Sequence, residues 1–181
     1  LKYNDELTAV LADYYAPEWD ELLDQLTESE TRRLIGAGGF QTSYATSIGK
    51  PRVVDRDGPA GFNNGVTNAS AVREWTAYPV EALTGCSWNV KLMFDMGRAQ
   101  GAEASETGLN GWYAPGINLH RSPYNTRNFE YYSEDAALSG YLAANLIYGA
   151  KTNNLYCYMK HFAASEAGQN PGNWNTWLTE Q

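Results

Sequence analysis

Histidine is scarce in this chain: among 181 residues only His120 and His161 occur. Two imidazoles cannot build a His-rich catalytic zinc site. Cysteine is confined to Cys86 and Cys157, so no CxxC or Cys/His cluster exists for a structural one. Both cysteines stand among apolar neighbours, and buried free thiols are expected ahead of a disulfide between them. A carboxylate-bound Mg²⁺ stays open, but no pattern specifies it, and no cofactor is expected. GxGxxG, P-loop and GxSxG patterns are all missing. Basic runs are missing too, and the net charge is −8, which argues against DNA or another nucleic acid as partner. No apolar run approaches the ~18 residues that cross a membrane. The best, Ala136 to Ala150, is interrupted by Ser139, Gly140 and Asn145. The start lacks a charged-then-apolar leader and an initiator Met. With the abrupt WLTEQ ending, the expectation is a soluble chain that has been processed or is a piece of a longer one. Cysteine usage leaves the compartment open.

What the chain has in abundance is aromatic side chains, with six Trp and thirteen Tyr. Sugar rings present flat C–H faces that stack on such rings, so the enrichment leans toward carbohydrate, although aromatics also fill cores. Composition is otherwise that of a globular domain, 43% hydrophobic and 19% charged.

Periodicity predicts a helix over Asn4 to Tyr14, with Leu7, Val10, Leu11 and Tyr14 on one face. Pro17 is expected at the first helical position of a second helix carrying Trp19, Leu22, Leu23 and Leu26. "TESE" (Thr27 to Glu30) is a capping-box pattern opening a third helix that runs out at Gly36 to Gly39. The style then changes. "RVVD" reads as a strand ending near Asp55, followed by a loop carrying Asp57. A helix follows, with Leu92, Met96, Ala99 and Glu103 at helical spacing. "GWYAPGINL" is a second strand and loop, a long helix begins after Ser133 as its expected N-cap, and "LYCYMKHF" is a third strand. The tail from Asn170 turns helical at the end.

Strands alternating with helices argue for a parallel sheet in an α/β fold. In a β/α barrel the site lies on loops at the carboxyl ends of the strands. That rule brings Asp57, the His120–Arg127 region and Lys160-His161 to one rim. Three strands cannot close a barrel, which needs eight and typically about 250 residues. The expectation is therefore a partial (β/α)8 TIM-type barrel, with residues 1–50 as a helical lead-in and 51–181 as its first part.

Each polar cluster carries two readings. "DGPAG" (Asp57 to Gly61) is turn chemistry, and also a carboxylate able to accept paired hydrogen bonds from sugar hydroxyls. "HRSPYNTRNFEYYSED" (His120 to Asp135) is a solvated loop, or, where buried, a cluster in which Arg121 and Arg127 must pair with Glu130, Glu134 and Asp135. In "KHF" (Lys160 to Phe162) the lysine closes an apolar run. Lysine is almost never buried unpaired, so donation to hydroxyls of a bound polar ligand is the reading that fits best.

Four ordered stretches, "DGPAGF", "GWYAPGINLHRSP", "RNFEYYSEDAALSG" and "KHFAA", resemble the glycoside hydrolase family 3 β-glucosidases, and the likeness extends over roughly Trp19 to Gln181. The resemblance implies a (β/α)8-type barrel beside an α/β sandwich domain, and retaining hydrolysis of terminal β-D-glucosyl residues. The partners it implies are a β-glucoside or oligosaccharide substrate and the remainder of the same polypeptide. It assigns Asp57, Arg127, Lys160 and His161 to the hydroxyls of the nonreducing-end glucose, with Arg121 and Glu130 in supporting roles. Retaining glycosidases need two carboxylates about 5 Å apart. The family takes its nucleophile from a Ser-Asp-Trp type motif, which this sequence does not contain, and its acid/base from the other domain. Both are therefore expected outside this chain. Thr126 stands where the family often has Gly, and Pro171 lies near an expected Arg. Two other classes stay open: a non-catalytic carbohydrate-binding module, and a phosphorylase or other β-glycosidase on the same scaffold. Should the chain itself turn over substrate, Glu134 and Glu166 are its candidate carboxylates.

Overall fold

The computed structural model describes residues 4–63 and 74–162, together with residues 165 and 179. Glu166, Pro171 and the expected helical tail lie outside the described residues. The chain falls into two units, Leu1–Val54 and Asp55–Gln181.

The first unit is helical. α1 (Asp5–Val10) starts on an Asn4 cap that accepts from the Leu7 N–H at 2.8 Å. It ends earlier than its periodicity suggests, because only Leu7 and Leu11 find a core. Val10 and Tyr14 are exposed. α2 (Glu18–Leu23) has Pro17 as its N-cap, one position outside the expected one. α3 (Glu28–Gly36) opens with the capping box read from "TESE". Leu7, Leu11, Leu22, Ala45 and Ile48 form the unit's core, with Trp19, Leu26 and Leu34 packed against it. β1 (Gln41–Thr42) pairs antiparallel with the start of β2 (Val53–Asp57).

Glu30 ties this unit together. Its carboxylate accepts from Thr27 N, Thr27 Oγ1, Ser47 N and Ser47 Oγ at 2.7–3.0 Å. The backbone bond from Ser47, then its hydroxyl and Thr27, hold the pKa down to about 2.

The second unit is built of β/α crossovers. Asp55, Arg56 and Asp57 at the end of β2 lie parallel to β3 (Gly111–Tyr113), which lies parallel to β4 (Tyr156–Cys157). The strand thus runs two residues beyond Asp55, and Asp57 is its last residue rather than a loop residue. Its polar residues end a strand because alternate positions face inward to partners. The buried Asp55 carboxylate accepts from Tyr156 Oη at 2.8 Å and Tyr158 Oη at 3.2 Å. Between β2 and β3 come a short helix not expected from the sequence, α4 (Glu81–Gly85), and then α5 (Val90–Thr107). α6 (Ala136–Lys151) links β3 to β4 and is capped by Asp135, not Ser133. The Asp135 carboxylate accepts from Ala137 N and Leu138 N, while Ser133 Oγ accepts from Asp135 N. Cys86 is exposed and Cys157 half-buried, and both are free, so burial holds for neither in full.

α5 buries Met93, Met96, Gly97, Gln100, Gly101 and Ala104, a face rotated from the expected one. Leu92 is exposed. The cause is backbone contact with α6. A Cβ on Gly97 would stand 2.0 Å from Leu146 O, and one on Gly149 would stand 2.0 Å from Phe94 O. Two helices that approach so closely meet along small residues, and hydropathy does not decide the buried face. Among the described residues no helix is long and apolar enough to cross a membrane.

Candidate functional site

Asp57, at the carboxyl end of β2, does two things with one oxygen. Its Oδ1 accepts from its own Gly58 N–H at 2.8 Å, which shapes the DGPAG turn, and from Lys160 Nζ at 2.8 Å. The turn is closed by Gly61 N donating to Gly58 O, and Trp112 Nε1 on β3 donates to Gly58 O at 2.9 Å. Both readings of the motif coexist.

Lys160 comes from the stretch after β4. It is 9% exposed, and its ammonium also reaches Glu130 Oε2 at 3.1 Å. Glu130 ends the short 3-10 turn Asn128–Glu130, and its other oxygen accepts from Arg127 Nε. Asp57, Lys160, Glu130 and Arg127 thus form one chain of alternating charge that sums to zero. Burial alone would raise the Glu130 pKa. The Arg127 hydrogen bond and the Lys160 charge outweigh it and hold the carboxyl below the usual range. Burial likewise works against the Arg127 cation, but its bond to Glu130 raises the guanidinium pKa above its ordinary value.

These residues line a cleft of about 330 Å³ with Gly58 to Gly61, Asn63, Val80, Glu81 and Phe129. That lies within the ordinary range for a small-ligand pocket, about 300–1,000 Å³. Half-exposed Phe129 gives the polar cleft one aromatic wall.

The other expected residues divide. His161 stands beside the cleft rather than in its lining. Its Nδ1 lies 3.0 Å from Tyr131 Oη, its N–H donates to Asn118 Oδ1 at 2.7 Å, and Asn118 Nδ2 donates back to His161 O at 3.3 Å. Burial first, then the Arg127 and Lys160 charges, lower its pKa, so the ring is neutral at neutral pH. Arg121 is exposed and outside the cleft lining. His120 closes the loop that carries Arg127 and Glu130. Its Nε2 lies 2.8 Å from Asn128 O and 2.9 Å from Tyr131 O. Carbonyls only accept, so Nε2 carries the proton and donates to both.

Sequence reasoning missed Asn118 and Glu81. Asn118 sits in the loop behind β3, where the strand-end rule would have found it. Glu81 belongs to α4, which carries no readable periodicity, and it is 1% exposed in the cleft wall. Among the described residues no group of three or more His, Cys, Asp or Glu is placed to hold a metal ion. The cleft offers cationic donors and carboxylate acceptors in a balanced set. That suits a neutral ligand rich in hydroxyls better than a charged one, because each added charge would stand uncompensated.

Comparison with known proteins places the chain in a family. The family model for the glycosyl hydrolase family 3 N-terminal domain matches residues 38–181. Beta-glucosidase A of Butyrivibrio fibrisolvens is 35% identical over 158 residues, covering 83% of this chain and 19% of that protein. A beta-glucosidase of Rhizobium radiobacter is 35% identical over 149 residues, with 82% and 18% covered. The structure of beta-glucosidase 3B from Thermotoga neapolitana in complex with glucose superposes with a TM-score of 0.71 at 34% identity. It covers 81% of this chain and 23% of that one. The chain therefore spans about a fifth of the length of the relatives it matches.

Proposed function

We infer, from a chain that belongs to glycosyl hydrolase family 3, that it forms the first part of a β-glucosidase's catalytic barrel and supplies the glucose-gripping half of the active site. Residues 1–50 are the helical lead-in and 51–181 the barrel segment. Asp57, Arg127 and Lys160 hold the hydroxyls of the nonreducing-end glucose. His161 completes the subsite from its edge, and Glu130 keeps both cations in place. The observation that carries the reading is the continuous Asp57–Lys160–Glu130–Arg127 chain along one cleft.

The chemistry follows from this arrangement. A sugar hydroxyl accepts from a cation and donates to a carboxylate, so each pair in the chain can bracket one hydroxyl with charge-assisted hydrogen bonds. Such bonds accelerate hydrolysis only to the extent that they tighten as the ring flattens toward the oxocarbenium-like state. The nucleophile and the acid/base, the pair a retaining reaction needs, come from the rest of the polypeptide. No Ser-Asp-Trp motif occurs in this sequence.

The test is steady-state hydrolysis of an aryl β-D-glucoside by the complete polypeptide and its Asp57→Ala variant. Asp57→Ala is expected to lower kcat/KM by roughly 100-fold or more, the scale of losing a charged hydrogen-bond partner and its neighbour's alignment. Unchanged kinetics in a folded variant would remove Asp57 from the site. Glucose binding without hydrolysis by the complete wild-type protein would favour a carbohydrate-binding module instead.

A further inference from the structure

Glu81 is a buried carboxyl group in the cleft wall that the reading above leaves without a task. It opens α4, is 1% exposed, and both its oxygens accept from the Gly116 N–H, at 3.1 and 3.0 Å. Gly116 is the residue bridged to Lys160 in parallel β geometry. The residues on either side of it hold the lysine's backbone. Lys160 N donates to Pro115 O at 3.0 Å, and Ile117 N donates to Lys160 O at 2.7 Å. Gly116 is also pressed against the second half of the ion-pair chain. A Cβ there would stand 2.2 Å from Glu130 O and 2.8 Å from Glu81 Oε2. One side chain thus anchors the backbone seat shared by Lys160 and Glu130, the two residues whose charged ends meet in the cleft.

We propose that Glu81 is a positioning residue for the sugar-binding ammonium of Lys160, acting through the backbone of Gly116. The proposal rests on the glucose-binding reading of the cleft. The charges fit it. Asp57, Lys160, Glu130 and Arg127 already balance, so an ionised Glu81 would be a fifth charge with no cation of its own. Burial pushes its carboxyl pKa well above the ordinary value, and the groups facing it are the Gly116 N–H, the Tyr132 hydroxyl, Lys160 and Glu130. Burial thus favours the uncharged form, and the anchor itself is the acceptor geometry toward Gly116 N–H, which needs no charge. Glutamine can replace it in that role and leucine cannot.

A double-mutant cycle in the complete polypeptide tests the coupling. Aryl β-D-glucoside kinetics are measured for wild type, E81Q, E81L, E81D, K160M, E81L/K160M and E81D/K160M. E81L is expected to lower kcat/KM by about tenfold or more, and E81D by several-fold, because the carboxyl no longer reaches Gly116. E81Q recovers most of what E81L loses. In the K160M background the Glu81 substitutions cost little further, since their effect passes through the missing ammonium. Equal costs in both backgrounds, or unchanged kinetics in E81D, overturn the proposal. Should E81L fail to fold, E81D carries the cycle. Amide hydrogen exchange at Gly116 reads the anchor without substrate. Protection lost in E81D supports it, and protection unchanged overturns it. An inactive wild type whose Gly116 protection still depends on Glu81 would overturn the glucosidase reading while leaving the anchor standing.

Discussion

Lys160→Met is the perturbation whose consequences the structure makes most quantitative. One ammonium, 9% exposed, serves Asp57 at 2.8 Å and Glu130 at 3.1 Å. At an effective dielectric of about 20, each contact near 3 Å is worth roughly 5 kcal/mol before desolvation. Removing one partner of a buried ion pair costs about 3–5 kcal/mol net, because the survivors are left charged in the protein. The Asp57 side chain retains 28% exposure and Glu130 only 8%. Water can rescue Asp57 but not Glu130, which sets the expected loss near the lower end, about 3 kcal/mol. On the proposed role of Lys160, losing a charged donor to substrate costs a further 1.5–3 kcal/mol in kcat/KM, roughly 10- to 150-fold. The assay is urea unfolding of the complete polypeptide across pH, with glucoside kinetics on the same samples. Glu130 has a lowered pKa, so its paired state adds stability above its unfolded pKa, about 4.3, and that stability is lost as pH falls through the folded value. The deficit of Lys160→Met should therefore be largest at neutral pH and shrink as pH falls below about 4.3 and on through the lowered folded value of Glu130. A deficit that is constant across pH, or wild-type kcat/KM, would refute the assignment of Lys160 as the shared cation.

Other perturbations probe other links. Gly149→Ala should destabilise: a methyl 2.0 Å from Phe94 O and 2.8 Å from Arg98 N meets backbone that cannot rotate away. The overpacking cost, about 1–3 kcal/mol, exceeds the gain of about 1 kcal/mol in helix propensity, and denaturant unfolding would read the sign. Glu30→Gln should remove the acid resistance of the first unit. With a folded pKa of about 2, wild-type Glu30 contributes stability above the ordinary glutamate value, and that contribution fades only as pH falls toward 2. Hydrogen exchange of the α3 amides at pH 3 and pH 6 should show the two proteins closer together at the lower pH. Arg121→Ala, at an exposed position outside the cleft, should change kcat/KM by less than about twofold, within the usual range for surface substitutions. A larger loss would bring Arg121 into the site.

How legible the molecule was depends on the range of the interaction. The capping box of Thr27 and Glu30 was readable because both partners lie within one helical turn. That the same carboxylate also binds Ser47 was not, because that contact joins residues 17 positions apart. The strand-end rule collected Asp57, Arg127 and Lys160, which the structure brings to one cleft. It gave no way to see that Glu130, read as support, would be the hinge between two cations, or that Arg121 would stand outside. The face of α5 was misread because glycines, invisible to a hydrophobic pattern, set the contact with α6. Gln100 is fully buried there while Leu92 is exposed. Glu81 left no signal because its hydrogen bonds run to the backbone of Gly116, 35 residues later.

The bifurcated donation from His120 has a consequence for how independently the cleft's arm is held. One Nε2–H reaches Asn128 O and Tyr131 O, the carbonyls on either side of Phe129 and Glu130, so the arm is clasped by its backbone and not by the charges it presents. Substitutions that strip Glu130 or Arg127 of its charge should therefore leave the arm in place, and the cleft's charged ends can be rewritten without rebuilding the frame that carries them.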